Sequence, residues 1–182
     1  MDKLVSLLED PLPHLEEIIG LSERLVTQIA VSPPGTWKDQ EVSAVSALLL
    51  GYFVELRLDE ARFLWKRIPN TWHANALLQS IWEIGQHLIL RNFPHLLRAS
   101  RWFVSRVSDQ SLHDQPLHAL ALLVDDTCRA LAHRQLLAFH NISIQTAQDF
   151  LAANDAAEAV KQCQDRGWQL DSDGLFLVHP SQ

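Results

Sequence analysis

Ser143-Ile-Gln-Thr-Ala-Gln-Asp-Phe-Leu-Ala-Ala-Asn154-Asp-Ala-Ala-Glu158-Ala-Val-Lys-Gln-Cys163-Gln-Asp-Arg-Gly167-Trp168-Gln-Leu170-Asp-Ser-Asp-Gly174-Leu175-Phe-Leu-Val178 is the stretch on which the fold turns. Ser143 is placed to start a short helix through Ala147, Phe150 and Leu151, and Asn154 turns the chain. Asp155 and Glu158 form a capping-box pattern, so a second short helix carries Ala159, Val160 and Cys163 until Gly167 ends it. Trp168–Leu170 and Leu175–Val178 then read as two strands about an Asp-Gly turn. Two helices followed by a hairpin outline a winged helix. The terminal strand has no apolar/polar alternation, which leaves at least one apolar face and a free edge. Two coverings suit it: a strand from another chain adding to the edge, or the chain's own preceding long helix covering one face while the edge stays short.

Upstream of this run, Pro116 suits a first-turn position, and Leu117, Leu120, Val124, Leu131 and Leu136 recur in a long helix expected to end near His140-Asn141. The polar segment between Val107 and Pro116 is the best joint, with a boundary near Ser111. Before it, Val42, Val45, Leu49, Tyr52, Phe53 and Leu56 recur at helical spacing. Asp59 is placed to cap a further helix through Ala61, Leu64, Trp65 and Ile68, which Pro69 stops. A second pair follows, with Leu77, Leu78, Ile81, Trp82, Ile84 and Leu88 on its first helix, Asn92 as a turn and Pro94 near the next start. The expected fold is mainly α: a helical-repeat segment of TPR-like hairpins over 1–110, then a winged-helix module with a small antiparallel β wing over 111–182.

Composition narrows the function. The 182 residues are 47% hydrophobic, enough for a real core, and carry a formal charge of −7. From Ile144 to Gln182 the cations are Lys161 and Arg166, against Asp149, Asp155, Glu158, Asp165, Asp171 and Asp173. A groove-reading helix would thus open with acids where phosphates must lie, and no nucleic-acid partner is expected. The two cysteines, Cys128 and Cys163, build neither a disulfide framework nor a Cys-rich zinc site, as in an intracellular chain. The first ten residues place acids on both sides of a short apolar stretch, unlike an export signal. The longest apolar run, Ala44–Val54, is too short to span a bilayer, and no membrane partner is expected.

Catalytic constellations are missing from the pattern. Nine histidines include no His-Glu-x-x-His, no His-x-His and no pairing with a Cys-x-x-Cys, so no metal site is expected. There is no Gly-x-Ser-x-Gly elbow and no glycine-rich phosphate loop, so neither catalytic residues nor a cofactor are assigned. Asp125 and Asp126 lie about 100° apart on a helix and cannot share one proton; they read as a solvated face. Among six tryptophans, Trp65 and Trp82 lie on apolar stripes and are expected in the core, whereas Trp37 and Trp72 follow turn signals. Lys66-Arg67 complements a helix C-terminus.

Taken together, Ala61-Arg-Phe-Leu-Trp-Lys-Arg-Ile-Pro69, Ile81-Trp82 with Gly85-Gln86, Phe93-Pro94, Glu158-Ala-Val160, and Gly167-Trp168-Gln169 with Asp171 give the chain a resemblance to a known family. It resembles the family of subunit eight of the COP-nine signalosome, over roughly Leu48–Arg98 and Ser143–Val178. The winged-helix pattern is shared with lid subunits of the proteasome and a small subunit of the translation initiation factor three complex, which stand as alternatives. The resemblance implies a PCI-type protein whose winged helix assembles beside those of sibling subunits. It implies a non-catalytic scaffold in the cytoplasm and nucleus, within a hetero-oligomer that removes Nedd8 from cullin-RING ubiquitin ligases through a separate zinc-dependent subunit. The partners implied are other PCI-type subunits, with signalosome subunit three as neighbour. Carried over as partner-binding residues are Trp168, Leu175, Phe176, Leu177 and Val178. Family members usually continue past the wing into a further helix, whereas this chain ends at His179-Pro-Ser-Gln182. If that helix is absent from the protein, through divergence rather than trimming, anchoring is expected to fall more heavily on the winged helix and the repeats.

Overall fold

A computed structural model describes residues 2–31, 39–108 and 117–179. The helices are α1 (Asp2–Leu7), α2 (Leu15–Val31), α3 (Asp39–Val54), α4 (Leu58–Arg67), α5 (Ala76–Leu90), α6 (Phe93–Ser108), α7 (His118–Leu136), α8 (Ile144–Phe150) and α9 (Ala156–Gln164). Three short strands, β1 (Asn141–Ser143), β2 (Gln169–Leu170) and β3 (Phe176–Val178), form one antiparallel sheet. The chain is mainly helical with this small sheet near its C-terminal end. No helix among the described residues is long and apolar enough to cross a membrane. The joint near Ser111, the helix start at Pro116 and Trp37 lie outside the described residues.

α3 is the central helix. From Ala44 to Phe53 every residue is buried, and the helix is packed by α2, α4, α5 and α7. An apolar run with no polar face demands that environment. Gly85 of α5 is set against the ring of fully buried Phe53, so the two helices approach more closely than a Cβ at position 85 would permit. Asn75 caps α5, its side chain accepting from the N–H groups of Leu77 (3.0 Å) and Leu78 (3.2 Å). Arg91 ends the helix in the left-handed region (φ 54°) and bonds back to the His87 and Leu88 carbonyls. α6 then packs on α5 and also on α7.

Four expectations are corrected. Asp59 does not cap α4: Arg57 holds the N-cap position without a side-chain capping bond, and Asp59 sits in the first turn, where its charge favours the helix dipole. α7 ends at Leu136 rather than near His140, because Asn141–Ser143 leaves the helix to pair with β3. Trp65 and Trp82 are half-buried, stacked on each other at 4.8 Å and 5°, with His73 stacked on Trp65 at 4.4 Å. Stacking there takes the place of full burial, whereas Trp72 in the 3-10 turn is buried. Finally, Asp125 and Asp126 do not share a solvated face. Asp126 is exposed, but Asp125 is buried, accepting from Ser100 Oγ (2.6 Å) and from the guanidinium of Arg129. Burial of that carboxylate is possible because both partners reach it across the α6–α7 contact and within α7.

Candidate interaction interface

The C-terminal unit is built by local rules. Ser143 Oγ accepts from the Thr146 N–H (3.1 Å) and starts α8. Asp155 Oδ1 accepts from the Glu158 N–H (2.7 Å) and starts α9. The Glu158 carboxylate reaches back to the Asn154 N–H (2.8 Å) and Nδ2 (2.9 Å). The Asn154 backbone bond leads in holding Glu158 below the usual carboxylate range, so this helix start is occupied by the protein's own acids. Gly167 (φ 89°) and Gly174 (φ 67°) take the left-handed conformations that end α9 and close the hairpin. Asp171 Oδ1 accepts from the N–H groups of Leu175 (3.1 Å) and Phe176 (3.3 Å), fixing where β3 begins.

This unit is clamped to the helices before it. Arg101 of α6 donates to the carbonyl oxygens of Ala152 (2.7 Å) and Leu151 (3.3 Å) at the end of α8. The ring of Phe93 meets Phe150 at 5.4 Å. Arg101 had no signal in the sequence, since its partners are backbone carbonyls fifty residues away. Neither had β1: it is three residues long and its partner lies more than thirty residues downstream.

The sheet order is β1-β3-β2, so β3 is the central strand and is paired on both sides. The expected free edge on Leu175–Val178 is thereby corrected, as β1 occupies it. Register sorts the side chains. Ile142 opposes Leu177, and both are buried against the helices. Ser143 opposes Phe176, and Val178 lies between Asn141 and Gln169, which puts Phe176 and Val178 together on the outer face. Phe176 is 42% exposed, Val178 38% and Leu175 63%. Trp168 and Leu177 are core residues, at 2% and 0%, with the indole edge-on to His179 at 5.3 Å. The five residues assigned to a partner therefore divide: Leu175, Phe176 and Val178 offer surface, while Trp168 and Leu177 hold the sheet to the body and cannot be touched without opening it. Phe139, exposed just ahead of β1, is a further large apolar side chain that the sequence reading passed over.

The buried His133, Cys128 and Cys163 are held uncharged. Burial, joined by the charges of Arg166 and Arg129, brings His133 down to about 4. Burial pushes the Cys128 thiol up to about 12 and Cys163 up to about 11, so neither presents a thiolate. Among the described residues no group of His, Cys, Asp and Glu is placed to hold a metal ion. What this arrangement offers chemically is apolar contact on one sheet face.

A family model described as the CSN8/PSMD8/EIF3K family matches residues 39–182. The chain belongs to this family. The match begins at the first residue of α3 and contains every strand of the sheet. Among curated relatives, the chain is 31% identical to COP9 signalosome complex subunit 8 of Danio rerio over 164 residues, covering 87% of this chain and 80% of the relative. It is 28% identical to the protein of the same name from Xenopus tropicalis over 156 residues, covering 83% and 73%. As a CSN8/PSMD8/EIF3K member, the chain places Phe176 and Val178 inside the matched region.

Proposed function

We propose that this chain is a non-catalytic scaffold subunit of the COP9 signalosome, serving as its subunit eight. The similarity to the Danio rerio subunit over 87% of the chain carries this reading. Under it, the helices up to α6 act as a helical-repeat segment, and β1 to β3 with α8 and α9 act as a PCI-type winged helix packed beside those of sibling subunits. Signalosome subunit three is the expected neighbour, and the cytoplasm and nucleus are the expected location. Removal of Nedd8 from cullin-RING ligases belongs to the complex and is performed by another subunit; this chain holds its neighbours in place. The exposed Phe176–Val178 pair supports the reading, since apolar side chains aligned on an otherwise polar sheet face suit burial by a partner.

The test is a tagged copy purified gently from its own cells, with Phe176→Asp plus Val178→Asp as the comparison. Burying the two side chains is worth about 3 kcal/mol by area, so the substituted chain should lose its co-purifying subunits while its circular dichroism stays helical. Signalosome siblings recovered with the unsubstituted chain support the proposal. Proteasome-lid or initiation-factor components recovered instead would move the chain to another branch of its family. Undiminished assembly by the double variant would remove the sheet face from the interface.

A further inference from the structure

Helix α6 carries Arg98, Arg101 and Arg106 and no acid, in a chain whose formal charge is −7. Arg101 is committed to the Leu151 and Ala152 carbonyls. Arg98 and Arg106 make no ion pair among the described residues. His95, Arg98, Trp102 and Arg106 follow one another at spacings of three and four, which aligns them on one helix face, and all four are exposed. The guanidinium of Arg106 lies over the Trp102 ring at 5.1 Å, and the indole is 49% exposed. Beside this face, between α5 and α6, runs a shallow groove of about 290 Å³ lined by Glu83, His87, His95, Arg98, Ala99 and Trp102. His87 and His95 stack across it at 5.4 Å, and His87 Nδ1 is buried without a hydrogen-bond partner.

We propose that the α5–α6 groove docks an acid-rich helical segment of a partner protein, with an apolar side chain against Trp102 and carboxylates on Arg98 and Arg106. Charge complementarity selects the occupant. Two guanidinium groups with no ion pair among the described residues of an acidic protein attract carboxylates, and their planar donors suit bidentate pairing. Eight residues separate them, about 12 Å along the axis, which matches acids two turns apart on a partner helix. An exposed Trp beside an Arg is the kind of anchor on which protein interfaces concentrate their energy. A nucleic acid fits less well, because two cations neutralise few phosphates. None of these residues belongs to the sheet, so the inference stands apart from the assembly role proposed above.

Fluorescence anisotropy on the full chain decides it. The probe is a labelled synthetic helix with Glu spaced at four-residue intervals along one face and Leu between them; the same helix with Lys for Glu and an oligothymidine strand are the comparisons. The Glu helix should bind saturably at about 50 mM salt and several-fold more weakly at about 300 mM, where screening is tighter. Arg98→Glu with Arg106→Glu should weaken it by at least about tenfold and transfer binding to the Lys helix, and Trp102→Ala should weaken it with the charges intact. Circular dichroism checks that the variants fold; should one not, the wild-type comparison of Glu and Lys helices and its salt dependence still decide. No binding of the Glu helix, binding indifferent to the charge reversal, or tighter binding of oligothymidine through the same residues would overturn the proposal.

Discussion

Replacing Gly85 with Ala puts the α3–α5 contact to a direct test, because two effects of known sign oppose each other there. In a helix interior Ala is normally favoured over Gly by about 1 kcal/mol. At position 85, however, an added Cβ would lie 2.5 Å from Phe53 Cζ and 2.8 Å from Cε1. Carbon atoms in contact sit about 3.5–4.0 Å apart, so the ring or the helix must give by about 1 Å. Phe53 is fully buried and has no solvent side to yield toward. Overpacking of this kind costs about 1–3 kcal/mol, and with a fully buried ring the upper part of that range applies, so after the propensity gain Gly85→Ala should destabilise the chain by up to about 2 kcal/mol. Urea denaturation followed by circular dichroism measures it, provided the slope of the transition is unchanged. The clash predicts a coupling: Phe53→Leu alone leaves a cavity, but combined with Gly85→Ala it relieves the contact, so the double variant should be more stable than the sum of the singles by about 1 kcal/mol. A Gly85→Ala chain as stable as the parent, or more so, would refute the close approach of these two helices.

Two further outcomes follow from the buried titratable groups. His133 sits near 4 when folded and near 6.5 when unfolded, so between those values the unfolded chain binds the extra proton; stability is fully present above about pH 6.5 and falls toward pH 4, by at most about 3 kcal/mol. His133→Gln should flatten that part of a stability–pH curve measured by urea denaturation, and an unchanged slope would remove His133 as its source. Cys128 and Cys163 are both buried with raised pKa, so Ellman's reagent at pH 8 should label neither promptly in the folded chain and both in urea, as read by absorbance.

Much of the fold was legible because it rests on local rules. Apolar spacing marked α3 to α6 to within a few residues, and Ser143, Asp155, Gly167 and Gly174 stand where their side chains or backbone freedom require. Asp59 missed the cap of α4 by two residues, a local slip; the other departures turn on partners outside the helix concerned. Asp125 looks like a surface acid from its neighbour Asp126, and its burial rests on Ser100, twenty-five residues back on α6, together with Arg129 one turn on. Trp65 falls on an apolar stripe, yet its actual environment is set by Trp82 and His73, whose rings stack on it within 5° and 17° of parallel.

The largest departure changes how a partner can approach. An unpaired terminal strand would recruit another chain through backbone hydrogen bonds, which tolerate most side-chain substitutions. With β1 paired along one side of β3 and β2 along the other, those bonds are already made within the chain. Only short edges remain, on strands of three and two residues, and short edges recruit poorly. Contact at this sheet must then be made by side chains on its outer face, where register places Phe176 and Val178 side by side. Association through that face should be sensitive to the size and polarity of those two residues and indifferent to a proline introduced at an outward-facing edge amide. Association through an added strand would show the reverse sensitivity, so the pair of substitutions separates the two modes without any knowledge of the partner.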